Sequence, residues 1–237
     1  VPIVAVHEMF PSHGNHRRSR VNMSWTSKGW SPSGSPMGHW SADTITGLED
    51  GDPVGTWPDQ SGNGNDLTQA TAAKKPLYKV NIQNGKPAVL FDGSDDNMSG
   101  SGTHAQPNTF FSVIKLETAV TSKVLTDGVD SRNTLLTTGG AKNIALYAET
   151  AVVATDFSAN TITHLYSYHF SGASSFVRID TTQYDVGNPG TADYTSPLVG
   201  DDPTGGNAAH MYMMEFIWYG ADESVTDNET GLNTKWL

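Results

Sequence analysis

The sequence predicts an all-β protein, a two-sheet antiparallel sandwich, on three observations. Tight-turn dipeptides punctuate it at Asp50-Gly51, Ser61-Gly62, Asn63-Gly64, Asn84-Gly85 and Asp92-Gly93, and Gly and Asx residues supply the positive φ that such turns need. Short apolar runs such as 88–91 lie between the turns, which describes short strands closing on one another. Residues 161–170 and 210–219 carry strand-like side-chain patterns, and no long helix fits between residues 40 and 90.

Taken in order, residues 1–39 stand apart as an N-terminal extension, and 40–237 form the predicted domain. The extension is rich in Gly, Ser and Pro, holds four of the eight histidines and shows no sustained period. By composition it is an arm, expected to be held either against its own domain or by neighbouring chains of an assembly. It carries the chain's basic cluster, Arg17, Arg18 and Arg20, with Trp25 and Trp30 following. These five are the candidates for docking on an acidic partner, a solvated turn being the alternative for the arginines.

Residues 108–117 are mostly apolar on both faces, as suits a strand inside a layered sandwich. Shorter strands are expected at 123–126, 133–137 and 143–149. Along 161–170, Ile162, His164, Tyr166, Tyr168 and Phe170 point one way and Leu165, Ser167 and His169 the other; 175–184 then completes a hairpin. Residues 185–209 read as a long turn-rich connection. Alternation along 210–219 places Tyr212, Met214, Phe216 and Trp218 on one face and Met211, Met213, Ile217 and Tyr219 on the other. A short C-terminal helix is expected from the Thr226-x-x-Glu229 capping-box pattern, with Leu232 and Trp236 burying one stripe.

The motifs of residues 40–96 also fall in a telling order: Trp40, Ala42-Asp43, Gly51-Asp52-Pro53-Val54, Trp57-Pro58-Asp59-Gln60-Ser61-Gly62-Asn63-Gly64-Asn65, Asn84-Gly85-Lys86-Pro87 and Phe91-Asp92-Gly93-Ser94-Asp95-Asp96. This series resembles the opening of concanavalin A-like (laminin-G-like) lectin/glucanase domains, found in phage structural proteins and secreted bacterial proteins. The resemblance implies a jelly roll. It is specific over 40–100, looser from there to the C-terminus, and does not reach 1–38. The same sandwich hosts lectins, hydrolases and structural modules, so function has to be argued from a site.

Composition narrows the classes. The chain has 25 acidic and 14 basic residues among 237, a net charge of -11, which disfavours a nucleic-acid partner. With no cysteine, a disulfide framework and a Cys-based zinc site are excluded. No stretch resembles a transmembrane helix or a signal peptide. A start at Val1 is what removal of an initiator Met leaves, implying synthesis in a cytoplasm without export; a cleaved pro-segment leaves the same end.

No enzyme is expected. The resemblance implies that hydrolase members use a Glu-x-Asp-x-x-Glu strand, and glycoside hydrolysis needs two carboxylates; here Glu215 stands alone in its strand and is read as structural. No cofactor is expected. Calcium is the one metal the turns suggest, at Asp50/Asp52, Asp59/Asn63/Asp66, Asp201/Asp202 or, as the named candidates, Asp92, Asp95 and Asp96. For glycan binding the available rings are Trp57, Tyr78, Tyr147, Tyr184 and Tyr194, with Tyr184 and Tyr194 the better surface candidates and Trp57 nearer to core. The leading functional expectation is a non-enzymatic virion structural protein. It would be a capsid decoration or tail-associated protein at the virion surface, bound to copies of itself or to a major structural protein of the particle. The alternative is a carbohydrate-binding module or lectin, secreted or outward-facing, recognising a surface glycan.

Overall fold

The computed structural model describes residues 30–130 and 132–237, so Arg17, Arg18, Arg20 and Trp25 lie outside the described residues. The predicted all-β sandwich is observed: two eight-stranded sheets with antiparallel ladders pack face to face. From edge to edge the first sheet runs Thr182–Asp185, Phe176–Ile179, Thr163–Phe170, Asn108–Leu116, His210–Tyr219, Lys86–Asp92 and Leu77–Gln83, with Gly38–Ser41 also on His210–Tyr219. The second runs Ala151–Ser158, Asn143–Tyr147, Thr134–Thr138, Lys123–Gly128, Pro197–Val199, Met98–Ser99, Leu67–Thr68 and Thr56–Trp57. Ala151–Ser158 was not anticipated, and the 185–209 connection contains two short strands, Tyr194–Thr195 and Pro197–Val199.

The turn signals act locally, as their chemistry requires. Asn84 and Gly85, both at positive φ (49° and 71°), join Leu77–Gln83 to Lys86–Asp92. In the Asp59–Asp66 motif the Asp59 carboxylate accepts the N–H groups of His39, Ser61 and Asn65 at 2.9–3.0 Å, while Asn65 C=O accepts the Trp40 indole at 2.9 Å. The family-like stretch therefore works as a clamp on the first strand.

The centre of the first sheet is buried on both faces, which explains the two-sided hydrophobicity of Asn108–Leu116. Phe110, Ile114 and Leu116 enter the inter-sheet core, while Phe111 and Val113 face the C-terminal helix with Leu232 and Trp236. Along His210–Tyr219 simple alternation fails. Met213 pairs with Ile114 and Glu215 with the adjacent Val113, so Met214 is an inserted bulge residue. Met211, Met213, Phe216 and Trp218 consequently share the core face, and Met214, Ile217 and Tyr219 turn to the helix.

The helix spans Val225–Trp236 with Ser224 at its N-cap and no side-chain cap bond. The expected Thr226/Glu229 box is not formed, because the helix starts before Thr226; Glu229 instead takes Arg178 in a two-pronged pair at 2.7 and 2.9 Å. Leu232 and Trp236 are fully buried, as their spacing predicted. Residues 30–37, which the sequence assigned to the arm, lie on the sandwich. Met37 N–H donates to Trp218 C=O at 2.7 Å, Ser33 N–H to Asn228 Oδ1 at 3.0 Å, and Tyr219 O–H to Ser33 C=O at 2.6 Å. Trp30 packs against the helix side of the sheet, over Gly231. The first strand starts at Gly38, so the sandwich extends into the 1–39 segment.

Candidate ligand-binding groove

On the second sheet, Leu135 points into the core, so its neighbours Thr134 and Leu136 lie on the opposite face. There they line a groove of 280 Å³ with Ser122, Val124, Arg132, Tyr147, Asp202 and Asn207. Val124 and Leu136 are cross-strand partners, as are Thr134 and Tyr147. The groove thus has aliphatic side chains beside an aromatic ring.

One polar edge is built around Asp127, whose side chain is fully buried. Asp127 Oδ1 accepts Thr134 Oγ1–H at 2.6 Å and Gly128 N–H at 2.9 Å; Oδ2 accepts Arg132 Nε–H at 2.8 Å and lies 2.6 Å from Nη2 in the same ion pair. Burial pushes the Asp127 carboxyl up, against the pull of Arg132 and Thr134. The Arg132 guanidinium carbon lies 5.1 Å from the Tyr147 ring centroid, so fork and ring are fixed together. Of its five N–H groups Arg132 donates Nε–H to Asp127, with Nη2 in the ion pair, and no other acceptor takes the rest among the described residues.

The loop after Pro197–Val199 supplies further polar lining. Asp201 accepts the N–H groups of Asp202, Gly206 and Asn207 at 2.8, 3.3 and 3.0 Å, closing a tight loop. Val124 N–H to Asn207 C=O, 2.9 Å, ties it to the sheet. Asp202 accepts the Thr204 N–H and O–H at 2.9 and 2.7 Å and the Asn207 amide. Burial opposes its charge, but these donors, with Arg132, hold its carboxyl below the ordinary value of 3.8. The arrangement offers aliphatic surface between a fixed cationic fork and a fixed carboxylate–amide pair.

A second cleft, of 610 Å³, is lined in part by Trp30, His39, Ser41, Asp43, Gln60 and Lys235. Beside it lies Glu215, fully buried, which accepts His39 Nε2 at 2.7 Å, Lys235 Nζ at 2.8 Å, Ser41 Oγ at 3.3 Å and the Trp236 indole. Lys235 spends its three donors on Ser41, Asp43 and Glu215 at 2.7, 3.1 and 2.8 Å. The groups of this cleft are largely satisfied by one another, which leaves the Arg132 groove as the better candidate.

Trp57 and Tyr194 are fully buried in the inter-sheet core and offer no ring to a sugar. Tyr184 is half-buried beside Phe157 and packs against the same core, away from the groove lining. Trp30, expected to dock a partner, packs on its own domain. The Asp92, Asp95 and Asp96 carboxylates do converge within 4.8 Å. Asp96 Oδ2 accepts Asp92 N–H at 3.0 Å, and Asp92 Oδ1 accepts Ser94 N–H at 2.8 Å. Burial and the adjacent carboxylates push Asp96 up to about 6. Three carboxylates supply part of the six to eight oxygens that Ca²⁺ takes, and two of their oxygens already serve the turn. Sequence reasoning named Tyr147 and Asp202 in separate contexts and missed Arg132, Leu136 and Asn207. The Gly-Gly and Asp-Pro turns flanking these residues were the available signal.

Neither a protein-family model nor a curated protein sequence matches the chain. Solved structures match at the level of fold. Domain 4 of a GH43 extracellular arabinanase from Geobacillus stearothermophilus, in complex with arabinotriose, is similar at a TM-score of 0.60 and 13% identity, over 78% of this chain and 92% of that one. The Trypanosoma rangeli sialidase in complex with 2,3-difluorosialic acid is similar at 0.58 and 11% identity, over 86% of this chain and 33% of the sialidase. The ligand-binding domain of botulinum neurotoxin serotype D, in complex with N-acetylneuraminic acid, is similar at 0.58 and 8% identity, over 85% of this chain and 50% of that one. The chain spans only a third to a half of the last two.

Proposed function

We propose that the protein is a carbohydrate-binding module and that the Arg132–Tyr147 groove holds the glycan. The observation that carries this reading is the groove's composition: Leu136 and Tyr147 present apolar surface over buried Val124, flanked by fixed planar polar groups of Arg132, Asp202 and Asn207. A pyranose or furanose ring needs both, because its C–H face is apolar and its rim is a ring of hydroxyls. Fixed side chains limit the ordering cost of binding. The 280 Å³ volume lies just below the usual range of ligand pockets, roughly 300–1,000 Å³, and suits a small ligand. The similarity to domains solved with arabinotriose and with N-acetylneuraminic acid supports the reading through the fold.

Binding without cleavage is part of the proposal. Glu215 is fully buried and its oxygens take four donors, so it has no surface with which to reach a glycosidic bond. The virion reading assigns its docking contacts to residues 1–39, beside the support it takes from the acidic charge and from Glu215 standing alone in its strand. Of its named residues the described one, Trp30, packs internally, and this is why the glycan reading is preferred.

The test is calorimetric titration with soluble oligosaccharides alongside Tyr147→Ala and Asn207→Ala. Each variant is expected to lose about tenfold or more in affinity, from lost stacking surface or a lost hydrogen bond, with an unchanged circular dichroism spectrum. A glycan bound with full affinity by both folded variants would place the site elsewhere.

A further inference from the structure

We infer that the groove selects neutral over acidic glycans, and that Asp202 is its specificity-determining residue. This rests on the groove being the glycan site and names the class of sugar that it takes. An arginine in a sugar pocket invites the opposite conclusion, since its fork matches a sugar carboxylate. Here one edge of the fork is already engaged. Arg132 donates its Nε–H to buried Asp127 at 2.8 Å and sets Nη2 2.6 Å from the same carboxylate oxygen, so the pair is neutral as a unit. Asp202 then adds a negative charge to the lining of the same 280 Å³ space. Its electrostatic influence reaches Arg132 as well.

The groove therefore sums to one negative charge, two carboxylates against one guanidinium, within a chain of formal charge -11. The titratable groups facing this space are Arg132, Tyr147 and Asp202 on its walls, with Asp127 beneath Arg132. A uronic or sialic acid would set its carboxylate close to Asp202 and gain from Arg132 only what Asp127 leaves. A neutral sugar meets no such conflict. Its hydroxyls donate to Asp202 and accept from the unused Arg132 N–H groups and from Asn207.

The experiment titrates the whole chain with neutral arabino-, xylo- and gluco-oligosaccharides, and with sialyl-lactose and oligogalacturonides, at low and at high salt. Neutral sugars are expected to bind about tenfold or more tightly than acidic ones at low salt, the gap narrowing as salt screens Asp202. Asp202→Asn, which keeps an oxygen for the Thr204 donors, is expected to bring the two classes to within about threefold. The salt response of the unmodified chain is the second readout should that variant misfold. Acidic sugars bound as tightly as neutral ones, through a site that Tyr147→Ala abolishes, would overturn the selectivity and leave the glycan-binding reading standing. If no sugar of either class binds, the glycan-binding reading fails and this inference fails with it.

Discussion

Single residues carry unequal weight here, and burial decides which. Glu215 has no exposed surface and four donors, whereas Asp95 forms no side-chain bond of comparable depth. Replacing Glu215 with Gln leaves Lys235, itself largely buried, without one of its two carboxylates and turns an amide N–H₂ toward other donors. The expected loss is about 3 kcal/mol or more in urea denaturation, as for broken buried ion pairs; Asp95→Asn is expected to stay within about 0.5 kcal/mol. A loss below ~1 kcal/mol for Glu215→Gln would show that the network contributes little. Asp202 supplies a pH prediction. Its carboxyl is held below 3.8 in the folded chain, so it stays ionised in the groove until the pH falls below that value. Glycan affinity is therefore expected to fall only on the acid side, as the raised Asp127 carboxyl and then Asp202 take up protons, checked by titrating one neutral glycan across pH.

At the scale of elements, the C-terminal helix shows how packing overrides propensity. Gly231 lies in its interior, where Gly→Ala ordinarily gains about 1 kcal/mol. A Cβ at Gly231 would come within 1.7 Å of the Trp30 indole nitrogen. Gly231→Ala is therefore expected to destabilise the chain by about 1–2 kcal/mol, the scale of an overpacked core. In a Trp30→Ala background the same substitution should become stabilising. A double-mutant cycle from thermal melts measures this coupling, and additive effects would mean that Trp30 does not rest on the helix. The example also marks what was legible in the sequence. Asn84-Gly85, the apolar strand 108–117 and the Leu232/Trp236 stripe were readable because turn chemistry and periodicity are local. The Met214 bulge was not, since a bulge is defined by its partner strand and alternation alone carries no trace of it. The groove was illegible for a related reason. Arg132 and Tyr147 meet Asp202 and Asn207 only because the 201–207 loop folds back and hydrogen-bonds to Val124, and in the linear chain Arg132 is one charge among turns.

For the molecule as a whole, the question is whether two sheets and a helix behave as one cooperative unit. The aromatic cluster at the sandwich centre argues that they do. Phe110, fully buried, stacks on Tyr168 at 5.0 Å and meets Tyr194 edge-on at 4.8 Å and Phe170 at 6.0 Å, with Phe216 at 6.2 Å. Tyr194 continues to Trp218 at 5.0 Å, and Phe216 to Trp40 at 5.2 Å. Tyr168 is tied across the core by its hydroxyl, 2.7 Å from Thr126 Oγ1 on the second sheet. Truncating Phe110 removes the shared neighbour of these contacts and leaves a cavity that the flanking rings are too rigid to close. Phe110→Ala is expected to cost about 3–5 kcal/mol. It should lower the denaturation midpoint without changing the slope, because the same surface is exposed on unfolding. Tryptophan fluorescence, which reports Trp40, Trp57 and Trp218 in the core, should fall in step with far-ultraviolet circular dichroism. Separation of the two transitions would mean that the sheets come apart in stages. The groove on the second sheet could then loosen while the first sheet and its helix stay folded, and glycan affinity would be lost before the main unfolding transition.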